Sequence, residues 1–339
     1  MLQFKNRPKI DERSLNTLKK SKNLLAFSGG VDSSALFWIL ESYGIKFDIA
    51  MVDYGIREES MIEVAYAKEL SKKFQKKLYL KEAKLNKNNF EHNARVFRYD
   101  FFQKIIKENG YNTLITAHQL DDKLEWFLMQ FTKGAGVVEL LGFDEVRERE
   151  GYTLLRPLIN STKEELLNFL ESNSIKYFID KTNFDTRYKR NYFRQNFSQR
   201  LLKEFKEGIT KSFNYLEKDR DILFREPKYI KIGDLYIFED QKDETKNIRA
   251  IDKILKKMGY ILSKEQKDEI LRAKDVVISN RFVITFKCDK IYISPYIKIK
   301  LDKKFKEKCR VKKIPPKIRG YLLLKDIDTA SITSLLYDV

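Results

Sequence analysis

Asn23-Leu24-Leu25-Ala26-Phe27-Ser28-Gly29-Gly30-Val31-Asp32-Ser33-Ser34-Ala35-Leu36 is the stretch of this chain that decides its fold. It begins as a short apolar strand, passes through a Ser-Gly-Gly loop and continues as an apolar helix. Adjacent glycines let the backbone turn sharply and approach an anion, and the serines add hydroxyl donors. Because the first N–H groups of a helix also favour negative charge, the stretch predicts a phosphate-binding loop. It is not a Walker A loop, since the Gly-x-x-x-x-Gly-Lys-Ser/Thr spacing is absent.

Asp32 lies inside this predicted anion site and requires an explanation. A carboxylate at that place is consistent with a Mg²⁺ ion that the phosphates also bind. The alternative is a plain strand–turn–helix junction in which Asp32 or Ser33 is the N-cap of the helix. A bare Gly-Gly turn leaves both interpretations open.

The first 130 residues alternate between strand-like and helix-like segments. Strands are predicted at 47–52, 77–80 and 113–117, and helices at 31–43, 59–74, 90–107 and 120–131. This alternation predicts an α/β fold with a parallel sheet and right-handed crossovers. Ligands of such sheets bind at the carboxyl ends of the strands. Ser28, Asp53 and His118 follow predicted strands, so we expect them to converge on one cleft.

The pattern changes in the second half of the chain. Residues 191–224 are largely helical in pattern, and Pro227 ends that stretch. Short apolar runs of strand type follow, separated by a helix with a capping box at Ser263 and Gln266. We therefore expect an α/β domain at 1–205, a helical connector at 206–227 and a small α+β domain at 228–339.

The chain is strongly basic, with a net charge of +18. Residues 1–200 have 34 Lys and Arg against 27 Asp and Glu, whereas residues 201–339 have 33 against 22. Between Lys303 and Arg319 there are nine basic residues and one acid, Glu307. This concentration predicts a polyanionic partner for the C-terminal domain. A solvated lysine surface that reflects compositional bias is the alternative.

Composition excludes several classes of protein. No apolar run approaches the roughly 18 residues of a membrane span, and the N-terminus lacks the apolar core of a signal peptide. Two cysteines and two histidines provide neither a disulfide framework nor a His-rich zinc site. We expect a cytoplasmic protein without a membrane partner. A homodimer is one of the oligomeric states that the sequence leaves open.

Further segments form an ordered series with the Ser-Gly-Gly-x-Asp-Ser loop. They include Val-Asp-Tyr-Gly-Ile-Arg-Glu-Glu-Ser at 52–60, Glu-His-Asn-Ala-Arg-Val-Phe-Arg-Tyr at 91–99 and Ala-His-Gln-Leu-Asp-Asp-Lys-Leu-Glu at 117–125. A glycine-rich loop at 133–142, Arg-Pro-Leu at 156–158 and a basic segment at 180–194 follow. In this order the segments resemble the motifs of the tRNA(Ile)-lysidine synthetases, a family of the ATP-pyrophosphatase or PP-loop superfamily. The resemblance covers roughly residues 20–200.

The resemblance implies an adenine nucleotide alpha hydrolase-like domain and a ligase that works in two steps. The O2 oxygen of the wobble cytidine of tRNA(Ile), which has the anticodon CAU, attacks the α-phosphate of ATP, and pyrophosphate leaves. The amine of free lysine then attacks C2 and displaces AMP. The residues implied to bind ATP are Ser28, Gly29, Gly30, Val31, Asp32 and Ser33.

The same resemblance implies roles for individual side chains. Catalytic candidates are Asp32, Asp121, Asp122 and Arg95, of which Asp32 and Asp121 are also the candidates to hold Mg²⁺. The expected tRNA contacts are Arg190 and Arg194 in the first half, beside Tyr188 and Tyr192, and Lys303, Lys304 and Arg310 in the second.

Each role has a structural alternative. Asp121 and Asp122 can serve as helix N-capping residues, and Arg95 can form a surface ion pair with Glu91. The helix that contains Arg190 and Arg194 can also bury its aromatic residues and leave its arginines solvated.

Several positions depart from the family pattern. Tyr54 and Gln119 replace histidines, Lys123 replaces Gln and Trp126 replaces Thr. A histidine general base at 54 or 119 is therefore excluded. Proton transfer must use a carboxylate, His118 or solvent.

Three other functions compete with this interpretation. A tRNA thiolase of the same superfamily would carry sulfur on cysteine, but no cysteine precedes Cys288. A small-molecule adenylating ligase would not require the basic C-terminal half. A non-catalytic RNA-binding protein would not require the intact Ser28–Ser33 loop or the Asp121-Asp122 pair.

Overall fold

The computed structural model describes residues 3–55, 59–83, 90–179, 187–225, 227–330 and 332. The chain divides into two compact units, Met1–Arg220 and Asp221–Val339. The division falls within the long helix Gln199–Leu223, which includes most of the expected connector. The boundaries expected at 205 and 227 stay predictions.

The first unit is built on a six-stranded sheet with the order β3-β2-β1-β4-β6-β5. Five strands are parallel, and only the edge strand β5 runs antiparallel to its neighbour. The strands are β1 (Asn23–Ala26), β2 (Phe47–Asp53), β3 (Leu78–Glu82), β4 (Thr113–Ile115), β5 (Val146–Arg149) and β6 (Tyr152–Leu155). The predicted parallel α/β fold is confirmed.

Helices follow most of these strands. They are α1 (Glu12–Lys20), α2 (Val31–Ser42), α3 (Glu59–Lys73), α4 (Phe90–Asn109), α5 (Leu120–Phe131), α6 (Val137–Leu140), α7 (Lys163–Ser172), α8 (Lys189–Phe193) and α9 (Gln199–Leu223). A π-helical turn, Arg194–Ser198, joins α8 to α9.

The core of this unit explains the apolar run that decides the fold. Leu24 and Leu25 of β1 are fully buried on the two sides of the central strand, each in a different apolar cluster. Leu36 and Leu40 of α2 are also fully buried. Since both faces of β1 are buried away from water, apolar residues are favoured at successive positions of the strand.

The second unit is an antiparallel sheet with helices on both faces. The sheet order is β7-β8-β11-β10-β9. Its strands are β7 (Tyr229–Ile232), β8 (Leu235–Glu239), β9 (Asp275–Ile278), β10 (Phe282–Lys287) and β11 (Lys290–Pro295). The helices are α10 (Glu244–Lys257), α11 (Lys264–Ala273), α12 (Lys303–Val311) and α13 (Arg319–Leu324), with a 3₁₀ turn at Pro316–Ile318. The expected α+β class is confirmed.

Alternation along β8 shows how the second sheet is covered. Tyr236 and Phe238 pack in the cluster that includes α10 and α11, whereas Leu235 and Ile237 pack in the cluster that includes α12 and α13. Successive side chains of a strand point to opposite faces, so both faces of this sheet are buried.

No helix in the described part of the chain has the length and apolarity needed to cross a bilayer. The cytoplasmic location stays a prediction.

Candidate active site

The loop between β1 and α2 is held in a conformation that requires glycine. Gly29 has a φ of +78°, and a Cβ at this position would lie 3.3 Å from the ring of Phe178. The Phe178 N–H donates to the carbonyl of Gly29 at 3.0 Å, and Gly30 forms a parallel β-bridge with Phe178. An L side chain at position 29 would be strained and crowded, so the loop depends on this residue.

The loop and the start of α2 contain several hydrogen-bond donors. Gly30 is the N-cap of α2 and provides no side-chain cap, which leaves the first N–H groups of the helix available to a ligand. The hydroxyls of Ser28 and Ser33 lie 3.1 Å apart. Ser33 Oγ also donates to the Gly30 carbonyl. This arrangement can bind an anion, and the role of the loop in binding the phosphates of ATP stays a prediction.

A cleft of about 1080 Å³ opens beside this loop within the first unit. It is lined by the loop residues Ser28, Gly30, Val31, Asp32 and Ser33 and by side chains from α4, α5, α7, α8 and α9. Among the predicted residues, those that also line it are His118, Asp121, Asp122, Arg190 and Arg194. The expected convergence of Ser28 and His118 is therefore observed.

Asp53 and Arg95 are not among the described residues that line the cleft. Asp53 lies at the carboxyl end of β2, where its side chain accepts a hydrogen bond from the Gly55 N–H at 2.9 Å. Arg95 is exposed and lies over the ring of Tyr99, whereas Arg98, one turn later, lines the cleft. The catalytic role of Arg95 stays a prediction.

Asp32 is the least satisfied carboxylate of the site. Its Oδ1 atom is buried and has no hydrogen-bond partner. Burial raises the pKa of Asp32 from its ordinary 3.8 to about 7, against the opposing charge of Lys163. A buried oxygen without a partner is costly, which indicates that a ligand or ion completes this position.

Asp121 and Asp122 lie in the first turn of α5 and have different surroundings. Gln119 is the N-cap of the helix and accepts from the Asp121 N–H, while Asp122 closes the capping box through the Gln119 N–H. The Asp121 carboxylate accepts from the N–H of Lys163 at 2.9 Å. Burial raises the pKa of Asp121 to about 6.

Asp122 is held ionised by a cationic neighbour. Burial alone would raise the pKa of its carboxyl, but the charge of Arg190 and the hydrogen bond from the Gln119 N–H outweigh burial and hold that pKa below its ordinary range. Arg190 Nη2 donates to Asp122 Oδ1 at 2.6 Å. The capping alternative and a role in the site are therefore compatible, since Asp122 caps α5 with one oxygen and binds Arg190 with the other.

Glu125 binds the side chains of both Arg190 and Arg194. It is fully buried, accepts from Arg190 Nε at 2.8 Å and accepts from Arg194 Nε at 2.6 Å. Arg194 is 13% exposed in its side chain and Arg190 is 41% exposed. Both arginines thus pair with carboxylates of α5, and their predicted contact with tRNA stays a prediction.

His118 is neutral in this setting. Burial lowers the pKa of its imidazole to about 3, and Nδ1 lies 3.0 Å from the hydroxyl of Thr116. Its ring contacts Phe143, over which the buried Arg156 also lies. A neutral imidazole beside Asp122 can act only as a weak base.

Sequence reasoning does not identify three residues that shape the site. Lys163 contacts Asp121 through its backbone, Glu125 holds both arginines, and Lys123 is buried in an ion pair of 2.6 Å with Glu217 of α9. The capping box before α7 and the Glu at the end of the 117–125 motif are the available signals for the first two. The motif positions at 56–58 and 180–186 lie outside the described residues.

This chain is similar to known proteins over most of its length. A family model described as a PP-loop domain matches residues 5–201. The tRNA(Ile)-lysidine synthase of Campylobacter jejuni is 43% identical over 325 residues, which cover 96% of this chain and 99% of that protein. The chain belongs to the tRNA(Ile)-lysidine synthase family.

Two further members of the tRNA(Ile)-lysidine synthase family have similar extent. The Wolinella succinogenes protein is 41% identical and covers 92% of this chain and 96% of its own length. The Helicobacter pylori protein is 38% identical and covers 91% of both. These similarities confirm the family that the motifs resemble. They also confirm that the protein is a ligase that uses ATP as a substrate. The thiolase, small-molecule ligase and non-catalytic alternatives are not favoured.

Proposed function

We propose that this protein joins free lysine to C2 of the wobble cytidine of tRNA(Ile) with the anticodon CAU. ATP is consumed, and AMP and pyrophosphate are released. The observation that supports this chemistry best is the cleft that is lined both by Asp121 and by the anion loop, which is the Ser28–Ser33 segment that includes Asp32. The similar proteins of Campylobacter jejuni and Wolinella succinogenes are named tRNA(Ile)-lysidine synthase, which supports the formation of lysidine on tRNA(Ile).

The first step is adenylation of the cytidine. The O2 oxygen attacks the α-phosphorus, the bond from that phosphorus to the bridging oxygen breaks, and pyrophosphate leaves. The N–H groups at the start of α2 and the hydroxyls of Ser28 and Ser33 hold the departing phosphates. Positioning and charge stabilisation are most of what such a transfer requires.

Mg²⁺ fits the residues of this site. The buried Oδ1 of Asp32 has no protein partner, and oxygen atoms are the ligands that Mg²⁺ prefers. The described residues contain no cluster of three or more metal-ligating side chains. Mg²⁺ is commonly held by one or two carboxylates together with phosphate oxygens. Asp32 and Asp121 would hold the ion, which would neutralise charge on the phosphates.

The second step is attack by lysine. Its amine bonds to C2, the bond from C2 to O2 breaks, and AMP leaves. As the new bond forms, the nitrogen becomes acidic and must lose a proton. A carboxylate of the cleft that does not hold the ion, or solvent, accepts that proton.

The second unit supplies candidates for contact with the tRNA backbone. Lys303 and Lys304 of α12 are exposed, and neither forms an ion pair within the described part of the chain. Arg310 is bound to Glu307 through two hydrogen bonds of 2.6 and 2.8 Å. We therefore expect the two lysines to contribute more than Arg310 does.

An incorporation assay tests the proposal. The protein is incubated with ATP, Mg²⁺, radiolabelled lysine and an unmodified tRNA(Ile) transcript with the anticodon CAU. We expect counts in the RNA, and none with a transcript in which the wobble cytidine is replaced by uridine. A folded protein that binds ATP and labels neither transcript would contradict the proposal.

A further inference from the structure

The helix that borders the cleft is interrupted by a π-helical turn. This turn, Arg194–Ser198, lies between α8 and α9. Such turns are rare inside helices and are frequent at functional sites. Its wider winding places Tyr192 and Phe197, five residues apart, in edge-to-face contact with ring centres 5.9 Å apart.

These two rings form an aromatic pair that is open to solvent. Tyr192 is 47% exposed and Phe197 is 41% exposed. Phe197 also packs on the buried ring of Phe193 at 5.6 Å, so its orientation is supported from below. The side chain of Asn196 donates to the carbonyl of Tyr192 at 2.9 Å, which fastens the turn beneath the pair.

The helical segment that carries the aromatic pair borders the cleft. Asn191 of α8 lines the cleft together with Arg194 and Gln195 of the π turn. Arg190 and Arg194 fasten the same helix to Asp122 and to Glu125. Tyr192 and Phe197 do not themselves line the cleft, so a base stacked on their rings would lie outside it, next to the base that enters it.

The surroundings of the pair favour a nucleic acid over an apolar protein surface. Residues 187–203 contain six basic side chains and no acidic one. Lys189 and Arg200 are exposed. Exposed aromatic rings among cations are typical of surfaces that stack the bases of single-stranded nucleic acids.

We propose that Tyr192 and Phe197 stack against a base next to the reacting cytidine in the anticodon loop. The inference rests on the proposed function, because it takes the anticodon loop as the ligand. It assigns RNA contact to the exposed rings, while Arg190 and Arg194 are engaged with the carboxylates of α5. Stacking of one base changes affinity by roughly ten- to hundred-fold.

The test uses the full-length protein and an anticodon stem-loop RNA. The variants are Tyr192→Leu with Phe197→Leu, which keeps apolar volume and removes both rings, and Tyr192→Phe, which keeps the ring. Tyr215→Leu is the matched control, since Tyr215 is a 66% exposed aromatic residue of α9. Affinity is measured directly, and 2-aminopurine at each position flanking the cytidine reports stacking through its fluorescence.

We expect the double variant to bind the RNA roughly ten-fold more weakly and to lose the fluorescence change at one flanking position. Tyr192→Phe and Tyr215→Leu should behave like the parent protein, and ATP binding should be unchanged in all variants. Parent-like RNA affinity and fluorescence in the double variant would overturn the proposal. So would a double variant that loses self-association, measured by sedimentation, without any change in RNA affinity.

The same experiment separates this inference from the proposed function. A parent protein that adds lysine to tRNA(Ile) while the double variant binds RNA normally refutes only the stacking role. A parent protein that binds no RNA refutes both.

Discussion

The cleft of the first unit and helix α12 of the second unit differ in how far their paired charged side chains are buried. In the cleft, Glu125 is fully buried and holds Arg190 and Arg194. On α12, Glu307 pairs with Arg310 while both side chains are more than half exposed. Buried charges require partners, whereas exposed charges cost little to keep. We therefore expect charge in the cleft to position reacting groups and charge on α12 to attract a polyanion.

Asp32→Asn is expected to have the largest effect. The change removes negative charge from the buried oxygen that has no protein partner and alters little packing. Loss of one well-placed electrostatic group typically costs about 10²–10³ in rate. Pyrophosphate release measures the effect, and Asp100→Asn, at an exposed position of α4, is the control. Near-normal turnover of Asp32→Asn would reduce Asp32 to a structural residue.

Glu125→Gln compares the two kinds of ion pair directly. It removes the charge that both arginines share, and breaking a buried pair is strongly destabilising. Removal of one partner from a fully buried pair costs about 3–5 kcal/mol. Because the Arg190 side chain is 41% exposed, water screens part of this interaction, and we expect the free energy of unfolding to fall by roughly 2–4 kcal/mol. Urea denaturation measures it. Glu307→Gln on α12 should leave the midpoint unchanged, and equal effects of the two changes would break the comparison.

The pH dependence of stability should reveal Asp32. Its pKa of about 7 lies above the ordinary 3.8, so the folded state binds a proton that the unfolded state releases. This residue therefore lowers stability as pH rises from about 4 to about 7. Asp32→Asn should gain stability over the parent protein across this interval and keep the gain at pH 8. Thermal unfolding of both proteins without ATP checks this, and a gain that is independent of pH would contradict it.

The smallest expected effect concerns the lysines of the second unit. Lys303, Lys304, Lys306 and Lys313 changed together to Gln should weaken tRNA binding and flatten its salt dependence. The slope falls by about 0.9 or less for each phosphate that the protein no longer neutralises. The KM for ATP should not move, because the anion loop lies in the first unit. Unchanged tRNA affinity and salt slope would favour a solvated lysine surface.

Local patterns predict most of the first unit. The apolar runs of β1, β2 and β4 and the helix at Leu120–Phe131 follow from periodicity and capping. The hairpin β5–β6 is not predicted, because edge strand β5 is Val-Arg-Glu-Arg, a charged sequence without an apolar face. Helices α10 and α12 are not predicted either, although Asp243 and Asp302 cap them.

Long-range pairing explains why the site is predictable only in part. Glu125 and Arg190 are separated by 65 residues, and no local pattern indicates that they meet. The motif at 117–125 identifies Asp121 and Asp122, but only the fold shows that their pKa values shift in opposite directions. Partner choice and burial, which decide charge state, arise from tertiary structure.

Pyrophosphate release with each substrate omitted tests the central claim most directly. If the cleft first adenylates the wobble cytidine, ATP with Mg²⁺ and tRNA(Ile) should release about one pyrophosphate per enzyme-bound tRNA without lysine. ATP with Mg²⁺ and lysine should release none when tRNA is absent. Release driven by lysine and ATP alone would instead indicate an aminoacyl adenylate and would contradict the reaction order proposed for this cleft.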